Sequence, residues 1–266
     1  MEIIGKSVTQ RITDVKQPHG GFVKASNFHT EILSDGLTLY PNENIHASLI
    51  GMCVDYLSRF MLGANVEDSF FIPLMGSKIA MEYTGDESYF TRALSSLNKI
   101  VGLDDESIIH AAKLVSYDVW FRNSHAIALR STDLDQINPD ANTVSNIRLL
   151  VERTVRFYTD YGPITTDGFT FDPNGYTDLV VAGDGDFLTE DTLWDLKVRR
   201  SKIDSKTSLQ LMMYYLMGKR SGQDIFDSIQ RIGIFNPRLH IVQTLDVSDV
   251  SSDVIETIEK EVIGYK

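Results

Sequence analysis

The segment from Gly175 to Val198 constrains the fold of this chain more than any other part of the sequence. It contains two strand-like runs, YTDLVVA and TLWDLKV, on either side of the turn signal GDGD. A helical run, SLQLMMYYLMGKR, follows, and two further strand-like runs, IQRIGIF and LHIVQTL, are joined by an Asn-Pro-Arg turn without a helix. The sequence therefore predicts a sheet with helices packed against it in the C-terminal half.

The predicted order of elements gives the fold class. A helix from Thr143 to Tyr161 and a strand, GFTF, precede this segment, and a final helix, SSDVIETIEKEVIGY, ends the chain. From residue 143 onward the order is α-β-β-β-α-β-β-α, which indicates an α/β protein. We expect residues 1–142 to form an N-terminal hairpin and helical subregion and residues 143–266 to form the core, together as one compact unit.

The N-terminal subregion is predicted to be mainly helical. Apolar residues recur at spacings of three or four over residues 42–63, and further helical runs follow over 86–102 and 104–123. Gly-Gly and Asp-Gly pairs bracket residues 22–34 and favour a hairpin there. Residues 124–142 are polar and rich in turn formers, which predicts a connection without a helix or strand.

The composition excludes several classes of protein. Of the 266 residues, 42% are hydrophobic and 23% are charged, as in an ordinary soluble protein. No stretch approaches about 18 uninterrupted apolar residues, and the N-terminus lacks the regions of a signal peptide. The single cysteine, Cys53, excludes an internal disulfide and a four-cysteine zinc or iron–sulfur site. We expect a cytoplasmic protein with no membrane partner.

The net charge of −12 argues against a general nucleic-acid binder, because phosphate backbones repel an acidic surface. One basic run is an exception, and Asp204 is the only acid inside it. The run consists of Lys197, Arg199, Arg200, Lys202 and Lys206. Two interpretations stay open: a solvated loop, or a surface that holds a phosphate chain beside a metal site.

Two aspartates interrupt the apolar strand-like runs. Asp178 lies beside Leu-Val-Val, and Asp195 lies between Trp194 and Leu196, although aspartate is disfavoured in strands. Two nearby carboxylates attract a divalent cation. Lys197 follows Asp195 by two residues and shares its face of the strand, because side chains alternate. The alternative is that both aspartates face solvent on a half-exposed hairpin.

The helix after these runs carries two polar groups. Gln210 and Tyr214 are four residues apart, on one face of a segment rich in Leu and Met. A glutamine inside such a face needs a polar partner, since a buried unpaired amide costs about 1–3 kcal/mol. In the alternative, Gln210 points outward and Tyr214 is an ordinary core residue.

Three motifs in this order resemble those of a known family. Gly175-x-x-Asp178, Asp195-x-Lys197 and Gln210-x-x-x-Tyr214 are similar to the motifs of the PD-(D/E)xK nuclease superfamily, specifically its RecB-type branch. The resemblance covers roughly residues 145–235, and Thr177 stands where the superfamily name has proline. It implies a restriction-endonuclease-like core, a mixed central sheet flanked by helices. The single cysteine excludes the subclass that holds an iron–sulfur cluster.

The resemblance also implies roles for these residues. Asp178 and Asp195 would bind Mg²⁺ or Mn²⁺. Lys197 would orient or help to deprotonate the attacking water and stabilise charge on the phosphate. Gln210 and Tyr214 would support the site and contact the nucleic-acid backbone, and the basic residues expected to contact nucleic acid are Arg199, Arg200 and Lys202.

Two further residues are candidates by resemblance. Members of the superfamily often have an acidic residue on the helix before the first strand, and Glu152 is the best placed for this metal-binding role. The alternative for Glu152 is a surface salt bridge with Arg153 or Arg156. RecB-type members frequently carry a histidine in an N-terminal helix, where His46 stands, although a structural role is the alternative.

The sequence thus predicts a Mg²⁺- or Mn²⁺-dependent nuclease that hydrolyses phosphodiester bonds, with DNA preferred to RNA as the substrate. The main alternative is a catalytically inactive interaction or regulatory protein that keeps the nuclease fold, which the acidic net charge favours. A third is a different hydrolase in which the aspartates serve another metal chemistry, which activity only on small phosphoesters would support. A protein partner or a homo-oligomer is left open, as are the choice between endo- and exonuclease and the strandedness of the substrate.

Overall fold

The protein has a mixed α/β fold in which helices flank a mixed sheet of six strands. The computed structural model describes residues 5–122 and 137–266. The helices are α1 (Val8–Asp14), α2 (Ala47–Met61), α3 (Val66–Ser69), α4 (Phe71–Thr84), α5 (Ser88–Leu97), α6 (Asp105–Val115), α7 (Asp118–Arg122), α8 (Ala141–Tyr161), α9 (Ser205–Ser221) and α10 (Ser252–Thr257), with a π-helix at Ile258–Ile263. The strands are β1 (Lys6–Ser7), β2 (His29–Ile32), β3 (Thr166–Thr170), β4 (Val180–Ala182), β5 (Asp184–Leu188), β6 (Thr192–Leu196), β7 (Arg231–Asn236) and β8 (Ile241–Asp246).

The main sheet has the strand order β2-β8-β7-β6-β5-β3. Strands β6 and β7 pair in parallel, whereas the other neighbours are antiparallel. A parallel pair needs a crossover connection, and α9 supplies it. Strands β1 and β4 form a separate two-stranded parallel sheet. Within the described ranges, no helix is long and apolar enough to cross a membrane.

The chain divides into two compact units. The first contains residues 1–34 and 157–266, and the second contains residues 35–156. The boundary predicted at residue 142 does not coincide with this division. The reason is that β1 pairs with β4 and β2 pairs with β8, so the beginning of the chain belongs with the C-terminal strands.

The first unit buries both faces of its sheet. Leu193 on β6 packs on the face that contacts α1, α9 and the π-helix, where Leu211 and Val262 are also buried. The neighbouring residue Trp194 points to the opposite face and packs with Phe157 and Phe235. The alternation of side chains along β6 therefore separates two cores, one mainly aliphatic and one aromatic.

The second unit is helical. It contains α2 to α7 and the first part of α8, around buried residues such as Leu57, Leu114 and Trp120. Its two ends are joined by an ion pair in which Arg153 Nε lies 2.7 Å from Asp35 Oδ2 and Arg153 Nη2 lies 3.0 Å from Asp35 Oδ1. Arg153 is only 7% exposed, so this bidentate pair is shielded from water.

The predicted helices of this unit are present with shorter bounds. The run over 42–63 is helical from Ala47, 86–102 is helical over Ser88–Leu97, and 104–123 is divided into α6 and α7. Helix α4 was not predicted. The expected hairpin over 22–34 is wrong, because β2 is the strand there and pairs with β8. Most of the predicted connection over 124–142 lies outside the described residues.

The predicted GDGD turn is also wrong, because it contains the start of a strand. Asp184–Leu188 forms β5, which pairs with β3 and β6. Position 185 requires glycine, because a Cβ there would lie 2.0 Å from the ring of Phe169, its partner on β3, which is too close. The glycine that indicated a turn is thus required by a contact between strands.

We expect Phe235→Ala to destabilise the protein by about 3–5 kcal/mol. Phe235 is fully buried, and its ring stacks on Phe157 with centroids 4.2 Å apart. The free energy of unfolding should be measured by urea denaturation followed by circular dichroism. Val181→Ala, at a half-exposed position, is the control. A loss below about 1 kcal/mol for Phe235→Ala would contradict the aromatic core described above.

Candidate metal site

Asp195 is a buried carboxylate in the middle of the main sheet. It lies on β6 and is 3% exposed. Its Oδ1 accepts a hydrogen bond from Lys197 Nζ at 2.9 Å. Its Oδ2 is buried and has no hydrogen-bond partner among the described residues. A buried acceptor without a partner is unfavourable, so Oδ2 is an oxygen that a cation would satisfy.

Asp186 on β5 is the second carboxylate. Phe187 pairs with Trp194 and Leu188 with Leu193, so the same antiparallel register places Asp186 opposite Asp195. Asp186 Oδ2 accepts a hydrogen bond of 2.7 Å from the backbone N–H of Leu196. Like charges directly opposite each other destabilise a sheet. Positive charge between the two carboxylates removes that repulsion.

Lys197 supplies part of this positive charge. Burial alone would lower the pKa of its amine, but the charges of Asp195 and Asp186 and the hydrogen bond to Asp195 outweigh burial. The pKa of Lys197 is therefore raised above its usual value. The raised pKa favours the ammonium form of Lys197 at neutral pH.

Gln210 and Tyr214 lie on α9, which covers this face of the sheet. Both side chains are buried, and Gln210 Nε2 donates a hydrogen bond of 2.9 Å to the Tyr214 hydroxyl. Burial raises the pKa of Tyr214 well above its usual range, and the charge of Asp195 adds to the shift. Tyr214 therefore keeps its proton. The outward-pointing alternative for Gln210 does not apply.

Asp178 is not in the sheet. It lies in an exposed bend before β4, and β4 pairs with β1 and not with β6. The prediction that Asp178 occupies a strand next to Asp195 is therefore wrong, because the strand adjacent to β6 is β5. Asp186 takes the position that was assigned to Asp178.

Glu152 and His46 belong to the second unit. Glu152 is exposed on α8. His46 is the N-cap of α2, and its Nδ1 accepts a hydrogen bond from the backbone N–H of Ser48 at 3.2 Å. This contact gives His46 a structural role at a helix terminus, which is the alternative that the sequence left open.

The three basic residues after Lys197 have different environments. Arg200 and Lys202 are exposed, whereas Arg199 is partly buried. Arg199 Nη1 donates to Thr207 Oγ1 at 2.9 Å and lies 3.4 Å from Asp204 Oδ2. The side chain of Arg199 is therefore held at the start of α9.

Asp186 was missed because of its sequence context. Gly183-x-x-Asp186 has the same spacing as Gly175-x-x-Asp178, so the segment from Gly175 to Val198 contains this spacing twice. The second copy has turn-forming composition and was assigned to a turn. The signal that favours it is Phe187-Leu188, an apolar pair directly after Asp186 that continues the strand.

The chemistry of these residues fits a Mg²⁺ or Mn²⁺ ion. Asp186 and Asp195 offer oxygen ligands, and Asp195 Oδ2 is the buried oxygen without a partner. Across the residues that the structure describes, no group of three or more His, Cys, Asp or Glu side chains forms a metal site. Two carboxylates are sufficient for Mg²⁺, which commonly keeps several waters and binds substrate phosphate.

The pair formed by Lys197 and Asp195 should make stability depend on alkaline pH. The pKa of Lys197 is raised above its usual 10.5, so the stabilisation is complete below about pH 10.5 and lost as the pH rises through the higher folded-state value. We expect Lys197→Gln to lower the free energy of unfolding by about 2 kcal/mol near pH 8. The difference from wild type should decrease above about pH 10.5.

Denaturant titrations with EDTA across this pH range would measure that difference. Lys260→Gln is the matched control, because Lys260 forms an exposed ion pair with Glu256 four residues away. Such pairs contribute little to stability, so the control should differ too little to resolve. If the free energy of unfolding of Lys197→Gln stays below that of wild type by the same amount up to about pH 11, the stabilising pair of Lys197 and Asp195 is contradicted.

The comparisons with known proteins assign no family to the chain. It matches no protein-family model, and neither the curated proteins nor the solved structures contain a match. The residues of the site are therefore assigned from their own contacts, register and chemistry.

Proposed function

We propose that this protein is a metal-dependent nuclease that hydrolyses phosphodiester bonds of DNA. The observation that carries the proposal is the pairing of β5 with β6, whose register, continued by one residue, sets Asp186 opposite Asp195, while Lys197 is bound to Asp195. Two carboxylates and an ammonium group are the chemistry that metal-assisted phosphodiester hydrolysis needs. The mixed sheet flanked by helices is compatible with a restriction-endonuclease-like core, which we propose as the fold family.

Each residue has a role that follows from its contacts. Asp186 and Asp195 would hold Mg²⁺ or Mn²⁺, with Asp195 Oδ2 directed to the ion. Such an ion polarises a phosphoryl oxygen and lowers the pKa of bound water. Lys197 keeps its proton and stabilises negative charge on the phosphate. Gln210 and Tyr214, on the helix α9 that covers the two carboxylates, keep each other's side chains in place through their hydrogen bond.

The acidic net charge is compatible with this proposal because the site has its own local charge. A divalent cation offsets the two carboxylates, and Lys197 then gives the site a positive potential; the charge of Arg199 is partly offset by Asp204, 3.4 Å from its Nη1. Arg200 and Lys202 extend that positive surface at exposed positions. A polyanion is therefore attracted locally by a protein with an overall charge of −12.

Substitution of the site residues should abolish cleavage. We expect Asp186→Ala, Asp195→Ala and Lys197→Ala each to lower the rate of Mg²⁺-dependent DNA cleavage by about 10²-fold or more, because each removes charge from the transition-state environment. Asp178→Ala is the matched control. It removes an exposed aspartate outside the main sheet and should leave the rate within about twofold of wild type.

Cleavage of labelled single-stranded and duplex DNA, with Mg²⁺ or Mn²⁺ and with RNA for comparison, would measure these rates. A wild-type protein that cuts none of these substrates would contradict the proposed activity. Loss of activity in Asp178→Ala with normal activity in Asp186→Ala would contradict the assignment of the metal-binding aspartate.

Metal binding should also be visible without catalysis. At a Mn²⁺ concentration about 100 times the dissociation constant, the free energy of unfolding of the wild-type protein should rise by about 2.7 kcal/mol. Asp195→Asn should lose this stabilisation, and Asp178→Asn should keep it. Metal binding without cleavage would support the alternative of an inactive nuclease fold, whereas no stabilisation of wild type would contradict the metal site itself.

A further inference from the structure

A buried asparagine holds the backbone of the segment between β6 and α9, residues 197–204. Asn236, at the end of β7, is 2% exposed. Its Nδ2 donates to the backbone oxygens of Arg199 at 2.8 Å and Ser201 at 3.2 Å. Its Oδ1 accepts from the backbone N–H of Arg238 at 3.1 Å. One buried amide thus sets the backbone position of Arg199.

The far end of the same segment is also anchored. Gln243 on β8 is 3% exposed, and its Oε1 accepts from the backbone N–H of Ile203 at 3.0 Å. Asp204 then caps α9 by accepting a hydrogen bond of 2.9 Å from the backbone N–H of Thr207. A segment held at both ends by buried or capping groups is preorganised to present its side chains.

Arg199 is the side chain that this arrangement presents. Thr207 and Asp204 hold its Nη1 at 2.9 and 3.4 Å. Its Nη2 is shielded from water and has no hydrogen-bond acceptor in the part of the chain that the structure describes. Of the two terminal nitrogens of Arg199, Nη1 is held and Nη2 has no acceptor among the described residues. The N–H groups of Nη2 are therefore donors that a ligand could use.

Arg199 also lies next to the metal site. Its backbone N–H donates a hydrogen bond of 3.1 Å to the backbone oxygen of Lys197, so the two cationic residues are neighbours in this segment. The two carboxylates offset a divalent ion, so the charge of Lys197 is available to the phosphate that is cleaved. Arg199 shares its charge with Asp204 through Nη1, and its Nη2 offers the remaining donors to a second phosphate that is not cleaved.

We propose that Arg199 binds the phosphate adjacent to the one that is cleaved, so that the site selects a polynucleotide over an isolated phosphodiester. The inference rests on the proposed nuclease function and adds a specificity-determining residue to it. Because no water reaches Nη2, binding of this phosphate includes a local movement of the groups that cover it. Asn236 and Gln243 keep the backbone of the segment in place during that movement.

The test compares two substrates that differ in the neighbouring phosphate. A DNA oligonucleotide has one, and bis-nitrophenyl phosphate does not. With Mn²⁺, Arg199→Gln should raise KM for the oligonucleotide about tenfold or more, and kcat/KM for bis-nitrophenyl phosphate should stay within about twofold of wild type. Arg199→Lys keeps the charge but not the second nitrogen, so its KM for the oligonucleotide should be intermediate.

Arg231→Gln is the matched control. Arg231 forms a surface ion pair with Asp246, and its position on β7 pairs with Thr192, at the opposite end of β6 from Lys197. This variant should have wild-type kinetics with both substrates. Unfolding midpoints of all variants would be measured first. If Arg199→Gln does not fold, the two substrates are compared in Arg199→Lys instead.

Two results would overturn the inference while leaving the nuclease intact: equal losses on both substrates in Arg199→Gln, or no change on either. If wild type cleaves neither substrate, the proposed function fails, and fluorescence anisotropy of a labelled oligonucleotide in Ca²⁺ decides the role of Arg199. An affinity about tenfold lower in Arg199→Gln than in Arg231→Gln would support the phosphate contact. Equal affinities, or no binding by wild type, would overturn it.

Discussion

The antiparallel register between β5 and β6 is the constraint on which the rest of the site depends. It is set by apolar pairs, Phe187 with Trp194 and Leu188 with Leu193, whose members point alternately into the two cores of the first unit. A shift of one residue would exchange the two faces and move every one of these side chains to the wrong core. Hydrophobic packing thus fixes two aspartates opposite each other, although their charges oppose that arrangement.

That electrostatic conflict explains the polar groups around the pair. Lys197 binds one oxygen of Asp195, and the backbone of Leu196 binds one oxygen of Asp186. Tyr214 keeps its proton near both charges because burial and Asp195 raise its pKa. One buried oxygen of Asp195 is still left without a partner in the described structure. A buried oxygen without a partner is an exception to the usual pairing of buried polar groups, and such exceptions are expected at functional sites.

Much of this arrangement could be predicted from periodicity. Helices α8 and α9 and strands β6, β7 and β8 follow clear apolar patterns, and Asp195, Gln210 and Tyr214 lie on the elements expected for them, whereas Lys197 directly follows the end of β6. Strand β5 could not be predicted in this way, since Gly185 is explained by the ring of Phe169 on another strand. Helix α4 contains Pro73 and Gly76, and a Cβ on Gly76 would lie 2.1 Å from the backbone oxygen of Tyr117. In both elements, a glycine that usually interrupts a helix or strand is required by a contact distant in sequence.

The ion pair between Arg153 and Asp35 has a consequence for how the chain folds. The first unit is interrupted in sequence by about 120 residues, and the entropy of closing so long a loop opposes the pairing of β2 with β8. Arg153 and Asp35 lie at the two ends of that interruption. Once the helical unit has folded, its ends are held together, and the long loop behaves as a short one. The inserted helices thereby allow an N-terminal strand to complete a sheet made from the other end of the chain.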